Sequence, residues 1–138
     1  MEPLDLSKRP PRSPRERLDG VVLVPRTIDK LRATLPGGNL GSYKVHGFST
    51  RMLEMIGVSE ADLLEAVRSA SSDADVAAWL RANADTKAYP RVNEHFESLT
   101  TESVSDPENY HRLYPVARRL GLTNRFDVLE ADDREAFA

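Results

Sequence analysis

Apolar side chains recur at helical spacing in the first third of the chain. The clearest stripe, with intervals of four, three and four residues, consists of Val24, Ile28, Leu31 and Leu35. Pro25 suits the first turn of such a helix, because the amide donor that proline lacks would have no partner there. The tripeptide Pro36-Gly37-Gly38 ends the helix. The pattern predicts a helix over residues 24–35, followed by a glycine loop over residues 36–44.

Further helices are marked by capping residues and by prolines suited to a first turn. The predicted starts are Ser49 or Thr50, Ser59, Ser72 or Asp73, Pro90 and Asp106. Pro115 should kink or divide the helix that starts at Asp106. A last short helix contains Phe126 and Val128, and the acidic residues 130–135 are expected to form a solvated tail. No stretch alternates as a strand does, so we predict an all-α fold, a compact bundle of about five to seven short helices.

The first 19 residues differ from the rest because they are rich in proline and arginine. Pro10, Pro11 and Pro14 lack amide donors and disfavour helix in the residue before each of them. This composition predicts an extended, basic, polyproline-like arm. We therefore expect an extended Pro/Arg-rich arm over residues 1–19, packed on or near a single helical domain over residues 20–138.

The composition is that of a globular protein. The chain has 138 residues, of which 40% are hydrophobic and 30% charged, and it has no cysteine. The lack of cysteine excludes disulfides, thiol catalysis and cysteine-ligated zinc. No basic stretch followed by an apolar one opens the sequence, and no apolar run approaches the roughly 20 residues of a membrane span. We expect a cytoplasmic protein that does not enter a membrane.

Charge is distributed unevenly, although the net charge is only −3. Residues 8–44 carry nine lysines or arginines and three acids, whereas residues 54–108 carry twelve acids and four bases. Such an asymmetry suits an anionic partner for the basic region. It also suits attraction between the two regions within the fold or in a homodimer, and this second interpretation is the simpler one.

Motifs of the common catalytic and metal sites are missing. The three histidines have no ligand spacing and the acids near the C-terminus have no EF-hand pattern, so no metal or other cofactor is predicted. No serine lies in a Gly-x-Ser-x-Gly elbow. In the glycine loop Lys44 follows Ser42 and Tyr43, which is the wrong order for a Walker phosphate loop, and a plain turn is the better interpretation. These features favour a protein that is not an enzyme.

The polar face of the first helix is the most informative segment. Arg26, Asp29 and Lys30 cluster opposite the apolar stripe when about 100° is allowed per residue. The simpler interpretation is a solvated face with an exposed ion pair worth under about 1 kcal/mol. The functional alternative is that these charges meet an anionic ligand or partner. If a second layer covers the face, burial of the charges favours a specific role.

The candidate binding residues combine this face with the basic arm and the glycine loop. They are Arg12, Arg15, Arg26, Asp29, Lys30, Arg32 and Tyr43. The arm has no interleaved aromatic side chains, and no nucleic-acid reading module is evident. Together with a net charge of −3, this argues against a nucleic-acid partner.

Several segments together resemble one known family. They are residues 4–15, Leu23-Val24-Pro25-Arg26, Ile28-Asp29-Lys30, Arg32-Ala33, the glycine loop with Tyr43, and Asp132-Asp133. These segments are similar to a small bacterial family known only as domain of unknown function 5069, whereas residues 44–49 depart from its pattern. The resemblance implies a small stand-alone protein, and it implies no activity, cofactor or catalytic residue.

Two functional hypotheses follow. In the first, the chain is a non-enzymatic binding or protein-interaction module that sets its basic arm and the polar face of its first helix against an acidic protein surface. In the second, it is a small enzyme or ligand-binding protein with an anionic small molecule near the same helix and the glycine loop. The second hypothesis predicts one concave pocket lined by Arg12, Arg15, Arg26, Asp29 and Lys30.

Overall fold

Eight α-helices dominate the computed structural model, which describes residues 1–138. In chain order they are α1 Val24–Ala33, α2 Phe48–Met55, α3 Glu60–Ser69, α4 Asp73–Asn83, α5 Tyr89–Glu97, α6 Pro107–Leu113, α7 Pro115–Arg119 and α8 Arg125–Ala136. Single turns of 3₁₀ helix lie at Thr86–Ala88 and Thr101–Ser103, and the antiparallel strands β1 Arg17–Leu18 and β2 Val21–Val22 precede α1. The predicted helical class is confirmed in broad terms, with a small two-stranded sheet added. None of these helices has the length and apolar character that crossing a lipid bilayer requires.

Several helix ends follow the capping signals in the sequence, but α2 begins at Phe48, before the predicted caps Ser49 and Thr50. The Ser59 hydroxyl accepts a hydrogen bond from the Asp62 amide at 3.1 Å, which caps α3 as predicted. Pro115 divides the helix predicted around it, because α7 begins at that proline. The predicted solvated acidic tail is wrong: residues 130–135 lie in α8, whose first turn is capped by the Asn124 side chain.

The first helix, α1, lies at the centre of the fold because both of its faces are buried. Ile28 and Leu31 pack in the main core with side chains of α3, α4 and α5, among them Leu63, Leu80 and Phe96. The opposite, polar face is buried as well, since residues 1–19 (the N-terminal segment) and α8 lie over it. A smaller core joins α6, α7 and α8. Packing from two sides holds α1 in one orientation and fixes where its polar side chains point.

The N-terminal segment packs on the helices. Its buried apolar side chains are Leu4, Leu6, Pro11 and Pro14. The Leu6 amide donates to the Asn39 carbonyl at 2.7 Å, and the Leu23 amide donates to the Pro14 carbonyl at 3.0 Å. Turns at residues 6–8 and 14–15 interrupt the segment, so the continuous extended conformation predicted for it is not found. The segment instead covers α1 and the glycine loop.

A tight hairpin connects the N-terminal segment to α1. Asp19 and Gly20 form its two-residue loop with φ angles of 53° and 80°, the positive values that a type I′ turn requires. The Asn93 side chain closes the hairpin: it accepts a hydrogen bond from the Val22 amide at 2.9 Å and donates one to the Gly20 carbonyl at 2.8 Å. The hairpin therefore delivers the buried β2 valines directly to the start of α1.

We predict that Gly41→Ala destabilises the protein more than Gly57→Ala. Both glycines have positive φ angles, +60° and +71°, which a Cβ atom disfavours by roughly 1–2 kcal/mol. A Cβ at Gly41 would also lie 2.8 Å from the Leu6 carbonyl oxygen, whereas a Cβ at Gly57 meets nothing within 4 Å. Urea unfolding should give a loss of about 2–3 kcal/mol for Gly41→Ala and about 1 kcal/mol for Gly57→Ala. Equal losses would show that the N-terminal segment does not pack tightly on the glycine loop.

Candidate functional site

A buried ion pair lies between α1 and α8. Arg26 and Asp133 are only 3% and 6% exposed. The Arg26 Nη1 lies 2.8 Å from Asp133 Oδ2 and also donates to the Arg12 carbonyl at 3.1 Å. The Tyr43 hydroxyl of the glycine loop donates to Asp133 Oδ1 at 2.8 Å. Both charges are thus compensated within the chain, and four separate parts of the sequence meet at this one point.

A second ion-pair network holds the N-terminal segment on α1. The Arg12 guanidinium donates to Asp29 on α1 at 3.0–3.2 Å and to Asp73 at the start of α4 at 2.5–3.2 Å. The Arg12 amide also donates to Asp29 Oδ2 at 2.8 Å. Burial opposes the charge on Arg12, but the hydrogen bonds to Asp73 and Asp29 outweigh it and raise the pKa of the guanidinium.

The solvated polar face expected on α1 is therefore wrong. Arg26 and Asp29 are buried, and neither pairs with the other, because each has a partner on a different element. The reason is the covering layer: the N-terminal segment supplies Arg12 and α8 supplies Asp133. A second layer thus covers the polar face of α1. Charges buried in this way are costly unless they are paired, as Arg26 and Asp29 are.

A cavity of about 440 Å³ opens beside the buried ion pair, between α1, the glycine loop, α6 and α8. Its cationic lining residues are Arg26, Lys30, Lys44 and Arg125. Its aromatic lining residues are Tyr43, Phe48, Tyr110 and Tyr114, and Asp132 is its one carboxylate. A volume of this size suits a small molecule, for which protein cavities of about 300–1,000 Å³ are usual.

Lys30 lies one turn after Arg26 on the same face of α1 and reaches the cavity half-buried. None of the ion pairs of the chain involves it. Burial and the neighbouring Arg26 charge lower the pKa of the Lys30 ammonium to about 8, and the more distant Asp133 only partly opposes them. The cavity thus contains a lysine whose charge has no partner in the chain.

Arg125, at the start of α8, is a second cation without a carboxylate partner. Its guanidinium carbon lies 4.6 Å from the centroid of the Phe48 ring and 5.1 Å from that of Tyr110. Its Nε is buried and donates to no acceptor in the chain. The two aromatic rings hold the guanidinium in place by cation–π attraction, but they supply neither a carboxylate nor an acceptor for Nε.

Three tyrosines and one aspartate of the cavity have pKa values that are shifted in favour of their neutral forms. Burial raises the pKa of the Tyr43, Tyr110 and Tyr114 hydroxyls, with the charges and hydrogen bonds of neighbouring groups as smaller contributions. Burial and the adjacent Asp133 charge also raise the pKa of Asp132. The tyrosines are therefore hydrogen-bond donors over the whole neutral range.

Three of the seven candidate residues predicted from sequence meet at the cavity, namely Arg26, Lys30 and Tyr43. Arg12 and Asp29 lie behind the cavity wall in their own network, so the predicted five-residue pocket is not formed. The other two candidates lie elsewhere: Arg15 pairs with Asp127 at the surface, and Arg32 donates to the Glu2 carbonyl.

The residues missed by sequence reasoning come from the C-terminal third. Arg125, Asp132 and Asp133 lie on α8, which was expected to give way to a solvated tail, and Tyr110 and Tyr114 lie near the end of α6. The signal available in the sequence was Asn124, an N-cap residue that marks the start of α8. The acidic residues lie within this helix. His46 lies at the cavity, but no group of three or more histidine or acidic side chains is placed to hold a metal ion.

We predict that Asp133→Asn costs about 3–5 kcal/mol of unfolding free energy, because it leaves the Arg26 charge buried without compensation. Asp127→Asn is the matched control on the same helix: its ion pair with Arg15 is exposed and should be worth less than about 1 kcal/mol. Urea unfolding of both variants is the measurement. Removing the stranded charge as well, in Arg26→Met with Asp133→Asn, should recover much of the loss. Similar losses for the two single variants would contradict the structural role of the buried pair.

Comparison with known proteins identifies a family for this chain, but the description of that family names no activity. The family model described as a domain of unknown function (DUF5069) matches residues 8–135. No curated protein matches the chain.

Proposed function

The chain belongs to DUF5069, a family whose description names no activity, and we propose that it binds an anionic small molecule in the cavity beside α1. The observation that carries the proposal is the unpaired Lys30 ammonium in that cavity. Lysine is seldom buried without a partner, because burial without compensation disfavours its charged form. An anion that enters the cavity would supply the missing partner.

The composition of the cavity wall supports the same proposal. Four cations and one carboxylate line it, and the neutral hydroxyls of Tyr110 and Tyr114 can donate hydrogen bonds to carboxylate or phosphate oxygens. The aromatic side chains provide the apolar surface that small-molecule cavities generally have. We infer a binding protein of this kind in the cytoplasm, and no residue of the cavity is assigned a catalytic role.

The alternative function, an interaction of the basic N-terminal segment and the polar face of α1 with an acidic protein surface, has less support. Arg26 and Asp29 are buried, and their partners belong to the same chain. The uneven charge is also used internally, since Arg12, Arg15 and Arg17 pair with acids on α4, α8 and α5. Lys8, Arg9, Arg15 and Arg17 are exposed, and of these only Arg9 has no acidic partner in the chain.

We predict that Lys30→Met stabilises the ligand-free protein and removes its stabilisation by anions. At pH 7 the Lys30 charge is unfavourable in the fold because its pKa lies below the ordinary value, so its removal should raise the unfolding free energy by about 1–2 kcal/mol. In wild type, an anion at 100 times its Kd should add about 2.7 kcal/mol. Thermal unfolding with sulfate, citrate and a panel of phosphorylated and carboxylated metabolites measures both effects.

Arg32→Gln is the matched control, because Arg32 lies on the same helix and outside the cavity. This variant should keep the response of wild type to every anion. If wild type responds to none of the anions, or if Lys30→Met responds as wild type does, the proposed function is wrong.

We predict that sulfate affinity falls as the pH rises through about 8. Sulfate keeps its charge in this range, whereas the Lys30 ammonium loses its proton around the pKa of about 8 and then no longer attracts the anion. The charged or titratable groups facing Lys30 are Arg26, Lys44, His46, Arg125, Tyr43, Tyr110, Tyr114, Asp132 and Asp133. Calorimetric titration between about pH 7 and 9.5 should give an affinity loss approaching tenfold per pH unit above the midpoint. The Lys30→Arg variant stays charged over this range, so its sulfate affinity should be nearly constant with pH. If its affinity instead falls with pH as that of wild type does, Lys30 is not the titrating group.

A further inference from the structure

We infer that the ligand of this cavity carries two separate anionic groups, one held at Lys30 and the other at Arg125. The inference rests on the proposed function and narrows the ligand to a short molecule with two carboxylates, or with one carboxylate and one phosphate. It comes from a second observation, the unpaired guanidinium on α8, which is independent of Lys30.

The Arg125 guanidinium is held in one position and has no carboxylate partner. Its guanidinium is fixed between Phe48 and Tyr110, at 4.6 Å and 5.1 Å from the two ring centroids. No carboxylate of the chain pairs with it, and its buried Nε has no acceptor. A guanidinium in a fixed plane is suited to bind carboxylate or phosphate through two parallel hydrogen bonds. Arg125 lines the cavity, so an anion bound there meets a guanidinium that no carboxylate of the chain neutralises.

Lys30 is a distinct position, on α1, and Arg26 does not compete with it for the anion. Arg26 is already neutralised by Asp133 at 2.8 Å. Tyr114 lies between the two helices, where the charges of both Arg125 and Arg26 act on its hydroxyl. The two unpaired cations therefore belong to one cavity and approach it from two different elements.

The charge of the cavity agrees with a doubly charged ligand. Four cations line the cavity, Arg26, Lys30, Lys44 and Arg125. The carboxylates are Asp132, which lines it as well, and Asp133, which is counted because it pairs with Arg26. Four positive charges against two negative ones leave an excess of two, which a dianion would balance. Aromatic side chains make up much of the wall, so the carbon chain between the two anionic groups would contact Tyr43, Phe48, Tyr110 and Tyr114.

The test is a titration series that changes only the number and spacing of the anionic groups. Butyrate is the probe with one carboxylate, the dicarboxylates are malonate, succinate, glutarate and adipate, and phosphoglycolate carries one phosphate and one carboxylate. Calorimetry on wild type should give at least tenfold tighter binding for one length of dicarboxylate, or for phosphoglycolate, than for butyrate. Whichever binds more tightly, the dicarboxylate or phosphoglycolate, shows whether the ligand carries two carboxylates or one carboxylate and one phosphate.

Variants then assign the second anionic group to Arg125. Arg125→Gln should lower the affinity of the preferred dianion to about that of butyrate. Arg125→Lys keeps the charge and should keep a preference for the dianion, and Arg125→Met provides the loss comparison if Arg125→Gln does not fold. Arg118→Gln, at an exposed arginine of α7, is the matched control and should behave as wild type.

Each outcome separates this inference from the proposed function. Equal affinities for butyrate and all dianions, or a dianion preference that survives in Arg125→Gln, overturn the inference while anion binding at Lys30 stands. No binding of any probe to wild type overturns both. Loss of butyrate binding in both Lys30→Met and Arg125→Gln overturns the inference too, because it shows one shared anion position in place of two.

Discussion

The rest of the structure depends on the compensation of one buried charge, that of Arg26 on α1. Its guanidinium is satisfied by the Asp133 carboxylate from α8 and by the Arg12 carbonyl from the N-terminal segment. The Tyr43 hydroxyl completes the environment from the glycine loop. Buried ion pairs are seldom a net source of stability, because desolvation offsets their attraction, but they are intolerant of a missing partner. The pair therefore specifies which elements cover α1 more than it adds to the free energy of folding.

This arrangement also explains why the neighbouring cavity stays positive. Asp133 is fully engaged by Arg26 and Tyr43, so it has little capacity left for Lys30 on the next turn of α1. Arg125 is stacked on aromatic rings and is likewise left without a carboxylate. A fold selected for stability alone would pair or remove such cations. Their presence in a cavity of small-molecule size is the pattern expected of the binding site proposed above.

Much of the fold follows from local signals in the sequence, whereas the site depends on contacts between distant residues. The helical stripe from Val24, the Ser59 cap and the break at Pro115 predict their elements, because each acts within a few residues. The Asp19-Gly20 pair was an equally local signal for the hairpin and was overlooked. That Arg26 would pair with Asp133 and not along its own helix could not be deduced, since no local rule places α8 over α1. The same holds for Arg125, whose neighbours Phe48 and Tyr110 come from two other helices.

The pairing of Arg26 with Asp133 joins positions 107 residues apart, and this separation has a kinetic consequence. At the usual ribosomal speed of 5–20 residues per second, roughly 5–20 s pass between the synthesis of the two partners. During that interval α1 has an unpaired guanidinium and lacks the helix that covers its polar face. Contacts of such long range also slow folding, because the loop between them must close before the contact is gained. The native packing of the polar face of α1 can therefore form only after α8 has been synthesised.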